Sequence, residues 1–333
     1  SSQFSAQLSC PASSRELSPA MAPSHSGSTR RRGERRLLRG FLALSAASAA
    51  VVGLIQPLVA SVPAPGAAEA AVAARRQVLF ASASALALGP AAAANAANQK
   101  FVVLGGSGFV GSRICERLVA SGASVTSISR SGGPPSGAGA WAQTVNWVKG
   151  DVLTADLSGP LQGAEAVISA IGAIGSDDDE RLNGATAEVA TSAAAKAKVA
   201  RFVLVSATPL VAESGAGAAF PGYVKGKQRA EAAVKAFPGS FAVLQPTFIY
   251  GGEEFSATPP RVAAWYGDKI EALLGSPIVR PIASISPAAL KLALLPPNSV
   301  EDVAAAAVAG AFGKVSGMLS NHDEINAAAS QVA

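Results

Sequence analysis

Phe101-Val102-Val103-Leu104-Gly105-Gly106-Ser107-Gly108-Phe109-Val110-Gly111 runs four apolar residues directly into four glycines. A short apolar run bounded by glycine predicts a buried strand. Beyond it, Val110, Ile114, Leu118 and Val119 share one side of a helix, with Arg113, Glu116 and Arg117 elsewhere. A second β-rich stretch follows, Ser124-Val125-Thr126-Ser127-Ile128-Ser129. Strand, glycine loop, helix and strand in this order form a βαβ unit. Gly105, Gly108 and Gly111 are spaced by three, and Gly106-x-Gly108-x-x-Gly111 passes through the same loop. The first glycine permits a tight turn, the middle one lets backbone approach a pyrophosphate, and the last lets the helix pack on the strand. The helix N-terminus adds N–H donors and the positive end of its dipole. The loop therefore reads as a dinucleotide cradle, with Ser107, Phe109 and Val110 among its contacts.

The end of the second strand bears on which dinucleotide. A site preferring NAD(H) places Asp or Glu about 20 residues beyond the glycines, on the ribose 2′-hydroxyl. Here the strand ends Ile128-Ser129-Arg130-Ser131, with no acid. Arg130 suits a 2′-phosphate, assisted by a Ser129 or Ser131 hydroxyl, so NADP(H) is expected over NAD(H). After the third strand, Asp151 and Val152 are placed beside the adenine, with Asp151 as a turn cap the alternative.

Further strands are expected over 145–148, 166–171, 202–205 and 241–244, with helices over 181–198, 223–236 and 300–312. Alternation of this kind predicts a doubly wound parallel α/β sheet, a Rossmann fold, covered on both faces. Ala170, Ile171 and Gly172, at the end of the fourth strand, complete the expected cofactor wall. Residues 131–140, rich in Gly, Pro, Ser and Ala, read as a loop.

Tyr223-Val224-Lys225-Gly226-Lys227 sets a phenol and an ammonium at i and i+4, on one face of a helix. A neighbouring ammonium favours phenolate, so Lys227 is expected to lower the Tyr223 pKa and make it an acid/base. Ser206, at a strand end, could bond a substrate carbonyl. Asn183, in the helix between, could order a relay water.

These residues, with Pro246-Thr247-Phe248-Ile249-Tyr250-Gly251 and Val300-Glu301-Asp302-Val303, resemble the extended or atypical short-chain dehydrogenases/reductases over about residues 100–313. More narrowly, the chain is similar to chloroplast NAD(P)-binding proteins of plastoglobules and to their relatives, the 39-kDa accessory subunits of mitochondrial complex I. The resemblance implies that Ser206, Tyr223 and Lys227 bind substrate and nicotinamide ribose. It also implies that Pro246 and Phe248 lie at the nicotinamide end.

The charge of +5 invites a nucleic-acid or membrane partner until the chain is divided. Residues 1–99 hold 9 Lys and Arg against 3 Asp and Glu, whereas residues 100–333 hold 18 against 19. The basic excess belongs to an Ala- and Ser-rich leader, and the near-neutral body gives no reason to expect nucleic acid. Within the leader, Arg30-Arg31-Arg32-Gly33-Glu34-Arg35-Arg36 precedes an apolar run over 37–62. Arg75-Arg76, an apolar run over 78–88 and Ala94-Asn95-Ala96 then form a second signal, with cleavage expected after Ala96. Two tandem signals resemble a bipartite plastid presequence. The expected location is thylakoid-associated, in the lumen or plastoglobules, with the mitochondrion as the alternative and a membrane anchor over 40–62 as the rival reading.

With 2 Cys and 2 His, disulfide frameworks and Cys/His metal clusters are excluded. Asp177-Asp178-Asp179-Glu180 reads as first-turn acids complementing a helix dipole, not as a metal site. Cys115 reads as packed, and His322 as part of a polar tail. Residues 252–333 are expected to supply the substrate side, where the apolar segment 282–295 could line the cleft or rest on a membrane or partner. Two functions follow: an NADP(H)-dependent oxidoreductase or isomerase acting on a small apolar lipid, quinone, isoprenoid or pigment, or a non-catalytic NADP-binding assembly factor or accessory subunit of a plastid or mitochondrial membrane complex.

Overall fold

The computed structural model describes residues 99–252, 256–257 and 260–332. Both targeting signals and the rival anchor lie outside them. The described chain runs β1 (Lys100–Leu104), α1 (Phe109–Ala120), β2 (Ser124–Ser129), β3 (Asn146–Lys149), α2 (Ser158–Leu161) and β4 (Ala166–Ser169). It continues with a π-helical turn (Arg181–Ala185), α3 (Thr186–Lys196), β5 (Arg201–Val205), α4 (Leu210–Glu213), α5 (Pro221–Lys235) and β6 (Ser240–Leu244). After these come β7 (Ile249–Tyr250), β8 (Ser256–Ala257), β9 (Pro260–Arg261), α6 (Ala264–Leu274), α7 (Val279–Ile285) and α8 (Ala288–Leu294). The chain closes with β10 (Asn298–Ser299), α9 (Val300–Ala311), β11 (Gly317–Leu319) and α10 (His322–Ala329).

Seven strands form one parallel sheet in the order β3-β2-β1-β4-β5-β6-β11. The winding reverses between β1 and β4, which opens a crevice at their carboxyl ends, where such sheets bind ligands. Last-but-one in sequence among the elements, β11 was not anticipated. It is three residues long with only Leu319 buried, too short to show a period.

Each face of the sheet has its own core. Phe101, Val103, Ile168, Val203 and Leu244 pack beneath α1, α9 and α10. Val102, Leu104, Val167, Phe202 and Val243 pack against α3 and α5. The alternation follows from the strand pleat, which sends successive side chains to opposite faces. α9 approaches closely because its residues are small: a Cβ at Gly310 would stand 3.0 Å from Ala242 and 3.1 Å from Val203. Ser299 caps this helix by accepting from the Asp302 N–H at 3.0 Å. The Glu301 carboxylate joins α9 to α1 through Arg113 and Arg117, each at 3.0 Å.

Residues 252–332 serve two places in the fold. α9, β11 and α10 return to the main sheet, because their apolar faces complete its core. α6, α7 and α8 stand apart from that core around Leu274, Val279, Ala283 and Leu294, and β7 with β10 and β8 with β9 form two small separate sheets. α8 packs against α4, which follows the carboxyl end of β5, so these helices sit on the ligand-binding side of the sheet. Among the described residues, no helix is long and apolar enough to cross a membrane.

Candidate functional site

The glycine loop joins β1 to α1, and its steric demands separate the glycine roles. Gly105 has φ +83°, a conformation that favours glycine, and its N–H bonds Ile128 O at 2.8 Å. A Cβ at Gly111 would stand 2.2 Å from Gly105 O, so the first turn of α1 needs glycine to press on the loop. Gly106 is held from below, where a Cβ would meet Ser127 Oγ at 2.3 Å and Cys115 Sγ at 2.8 Å. Cys115 is packed as expected, and burial pushes its thiol up to about 12. Gly108 is the N-cap of α1, and no side chain caps the helix. An uncapped N-terminus at the switch point, with backbone accessible through glycine, fits a dinucleotide pyrophosphate.

At the end of β2 three hydroxyls gather. Ser107 Oγ lies 2.7 Å from Ser129 Oγ, Ser131 Oγ donates to Ser107 Oγ at 2.9 Å, and Ser107 Oγ also donates to Gly133 O at 2.7 Å. Exposed Arg130 stands between these serines in sequence and makes no ion pair among the described residues. On the other flank, a Cβ at Gly105 would stand 3.2 Å from both Ala170 O and Ile171 Cγ1, so residues 170–171 do wall the loop. Gly251 comes close to Phe109, whose ring would lie 3.5 Å from a Cβ there, so the turn over 246–251 meets the start of α1.

The α5 residues reach this crevice from the far side. Lys227 is buried, and its Nζ donates to Val205 O at 3.1 Å and Ile171 O at 3.4 Å. Its ammonium also lies 5.8 Å from the centre of the Tyr223 ring. Gly226 makes the approach feasible: a Cβ there would stand 2.8 Å from Asn183 Cβ and 2.9 Å from Asp179 O. Residues 206–208 continue alongside β6, with Ser206 N bonding Leu244 O at 2.7 Å and Thr208 N bonding Pro246 O at 2.9 Å. Phe248 is 41% exposed on this turn.

Several expected roles change. The Tyr223 pKa is not lowered but pushed up to about 12, first by burial and then by the Asp179 and Glu231 charges. Lys227 does not reverse this, since its hydrogen bonds go to carbonyls; burial instead brings its own pKa down to about 8. Asn183 spends its amide on the backbone. Both Nδ2 bonds go to backbone, Ala173 O and Asp179 O at 2.7 Å each, and Oδ1 accepts from Ala173 N at 3.3 Å. Asn183 thus clamps the loop 173–179 onto the π-helical turn. Ser206 Oγ donates to Glu231 Oε1 at 2.6 Å. Asp151 follows its turn-cap alternative, with Oδ1 accepting from Leu153 N at 3.0 Å. The Val152 side chain is part of the core, 3% exposed.

Glu231 was missed because its partners come from other elements and no local spacing announces them. Two further readings gain partners. Asp179 stands in the first helical turn as expected, but it is buried and also ties down the preceding loop, accepting from Gly175 N at 2.6 Å, Ser176 N at 3.1 Å and Ser176 Oγ at 2.6 Å. His322 is no loose tail residue: it stands at the start of α10 and bonds Glu271 Oε1 at 2.8 Å. Glu271 in turn accepts from Tyr250 Oη at 2.5 Å, and Asp268 accepts from the same hydroxyl at 2.8 Å. A groove of about 840 Å³ between α2 and α3 contains none of the expected site residues.

The chain matches the NAD(P)H-binding family over residues 105–263. It is 35% identical over 224 residues to an uncharacterized chloroplastic protein of Arabidopsis thaliana, covering 65% of this chain and 72% of that protein. It is 43% identical over 61 residues to MIOREX complex component 2 of Saccharomyces cerevisiae, covering 17% of this chain and 22% of that protein. Among solved structures it is similar to the Bordetella bronchiseptica enzyme WbmH in complex with NAD+, at 19% identity and a TM-score of 0.45, over 67% of this chain and 75% of that one. With the glycine cradle at the switch point of a parallel sheet, the family match over 105–263 and the Arabidopsis relative establish that the chain belongs to the NAD(P)H-binding family of Rossmann-fold proteins.

Proposed function

We propose that the chain is an NADP(H)-dependent oxidoreductase, or an isomerase using the same cofactor transiently, of the short-chain dehydrogenase/reductase type. The observation that carries this reading is the junction at residues 170–172. One side of this segment packs on Gly105, and its Ile171 carbonyl accepts from the Lys227 ammonium, so the phosphate cradle and the Tyr–Lys pair share one wall. When bound, the nicotinamide supplies hydride chemistry. Tyr223 holds its proton at neutral pH, which suits donation to a substrate carbonyl oxygen and hence the reductive direction. Lys227 holds the ribose side of the crevice. Ser206 turns from Glu231 to the substrate oxygen. Arg130 and the three serines take the 2′-phosphate, giving the preference for NADP(H).

The substrate is a small apolar molecule of lipid, quinone, isoprenoid or pigment type. Ile174 and Phe248, 39% and 41% exposed, follow β4 and β6 on the crevice side and support this class. Ile282 and Ile285, 45% and 86% exposed on α7, support a peripheral association with a membrane or a membrane complex. The tandem signals and the chloroplastic relative support a plastid location, thylakoid-associated in the lumen or plastoglobules.

One observation favours a second reading, a non-catalytic NADP-binding assembly factor or accessory subunit: the Asn183 donors and the Ser206 hydroxyl are already engaged within the protein. NADPH-dependent turnover of a panel of quinones and enones separates the two. The enzyme reading expects turnover that Tyr223→Phe lowers about a hundredfold. Saturable NADPH binding with no Tyr223-dependent turnover on any member would establish the second reading. Arg130→Asp is expected to weaken NADPH about tenfold more than NADH, and equal weakening would remove Arg130 from the site.

A further inference from the structure

We propose that Glu231 is a positioning residue of this site: one of its carboxylate oxygens holds Ser206 and Gln245, and its charge balances the buried Lys227 ammonium. The proposal rests on the reading of Ser206, Tyr223 and Lys227 given above. Glu231 Oε1 accepts from Ser206 Oγ at 2.6 Å and from Gln245 Nε2 at 2.9 Å. Ser206 directly follows β5 and Gln245 directly follows β6, so a single oxygen ties two neighbouring strand ends to α5. Tyr223, Lys227 and Glu231 recur every four residues and line one face of that helix.

The neighbourhood is dry. Ser206 is 5%, Gln245 4% and Lys227 8% exposed. Two carbonyls accept from the Lys227 ammonium, but a carbonyl carries no charge to offset it. A buried ammonium without a counter-charge sheds its proton, and Glu231 opposes that loss. Asp179, across the π-helical turn, faces Tyr223, and Arg229 on α5 is engaged by Glu180 and Glu188 at 3.2 and 2.9 Å. The carboxylate therefore has two tasks. It keeps Lys227 cationic where the ribose binds, and it holds the Ser206 hydroxyl until a substrate oxygen competes for it.

Glu231→Gln preserves shape and an acceptor while removing the charge. NMR titration of isotope-labelled lysine in the free protein should place the Lys227 midpoint near pH 8 in the wild type. In E231Q it should fall by about one unit or more, and Glu231→Asp should restore part of the difference. NADPH affinity, followed by fluorescence across pH, should fall with the same midpoint, so that E231Q binds about tenfold more weakly than wild type near pH 9, about twofold more weakly near pH 7, and equally well toward about pH 6. An unmoved Lys227 midpoint in folded E231Q, or an affinity lost equally at every pH, would overturn the proposal. If the wild type binds neither NADPH nor NADH while the midpoint still moves, the pairing of Glu231 with Lys227 stands and the functional reading falls. Should E231Q fail to fold, the E231D midpoint decides: a value between neutral-range loss and wild type supports the charge role, and an unchanged one overturns it.

Discussion

The β1–α1–β2 region and the α5 region face one another across the same crevice, yet they carry function in different ways. In the first, backbone does the work. Gly105, Gly108 and Gly111 keep the loop tight and the N-terminus of α1 uncapped. In the second, side chains do the work, and each is gripped by a partner distant in sequence: Ser206 by Glu231, Lys227 by the Ile171 and Val205 carbonyls, Asn183 by the loop 173–179. A requirement for the absence of side chains is written locally. A requirement for particular partners is written across the chain.

The largest expected effect breaks the backbone side of this comparison. Gly111→Ala would set a Cβ 2.2 Å from Gly105 O and 2.8 Å from Gly106 Cα, both backbone atoms that cannot swing aside. A stability loss of about 3 kcal/mol is expected, read as a lower melting temperature together with loss of NADPH binding. An unchanged melting temperature would contradict the close packing of α1 on the loop.

Asn183→Ala tests the side-chain side. It removes two donors at 2.7 Å and should cost about 2 kcal/mol, with faster hydrogen exchange confined first to residues 173–179. If Asn183 instead served as a relay, turnover would collapse while exchange and stability stayed as in the wild type.

The smallest effect concerns the contact of α10 with α6, away from both regions. Burial pulls the His322 pKa down, but hydrogen bonds to Glu271 and Asp323 outweigh it and hold the group above 6.5. Burial raises Glu271, while bonds from His322 and Tyr250 bring it below 4.5. The raised His322 contributes stability fully below about 6.5 and loses it as pH climbs through its folded value. The lowered Glu271 contributes above about 4.5 and loses its share as pH falls through its folded value. Stability attributable to this pair should thus be greatest between about pH 5 and 6, and His322→Gln should flatten that maximum in a urea-unfolding series. A profile unaltered by the substitution would show the pair to be inert.

Legibility in the sequence follows the same divide. Six of the seven sheet strands could be read because each is a short apolar or β-rich run bounded by turn residues, with helices separating most of them. The roles of Gly105, Gly108 and Gly111 could be read because a positive φ and the close approaches to Gly105 O are settled within the loop itself. The lowered Tyr223 pKa was inferred from the spacing of Tyr223 and Lys227 alone, whereas burial and the Asp179 and Glu231 charges, all tertiary facts, drive it the other way. The partners of Asn183, Asp179 and His322 could not be read for one reason: polar side chains near turns find partners that only the folded chain brings within reach.

Fluorescence titration of the purified chain with NADPH tests the central claim most directly, because it needs no substrate. Saturable binding that is weakened at least about tenfold by Lys227→Met in a folded protein is the predicted result. A folded wild-type chain that binds neither NADPH nor NADH would contradict the account.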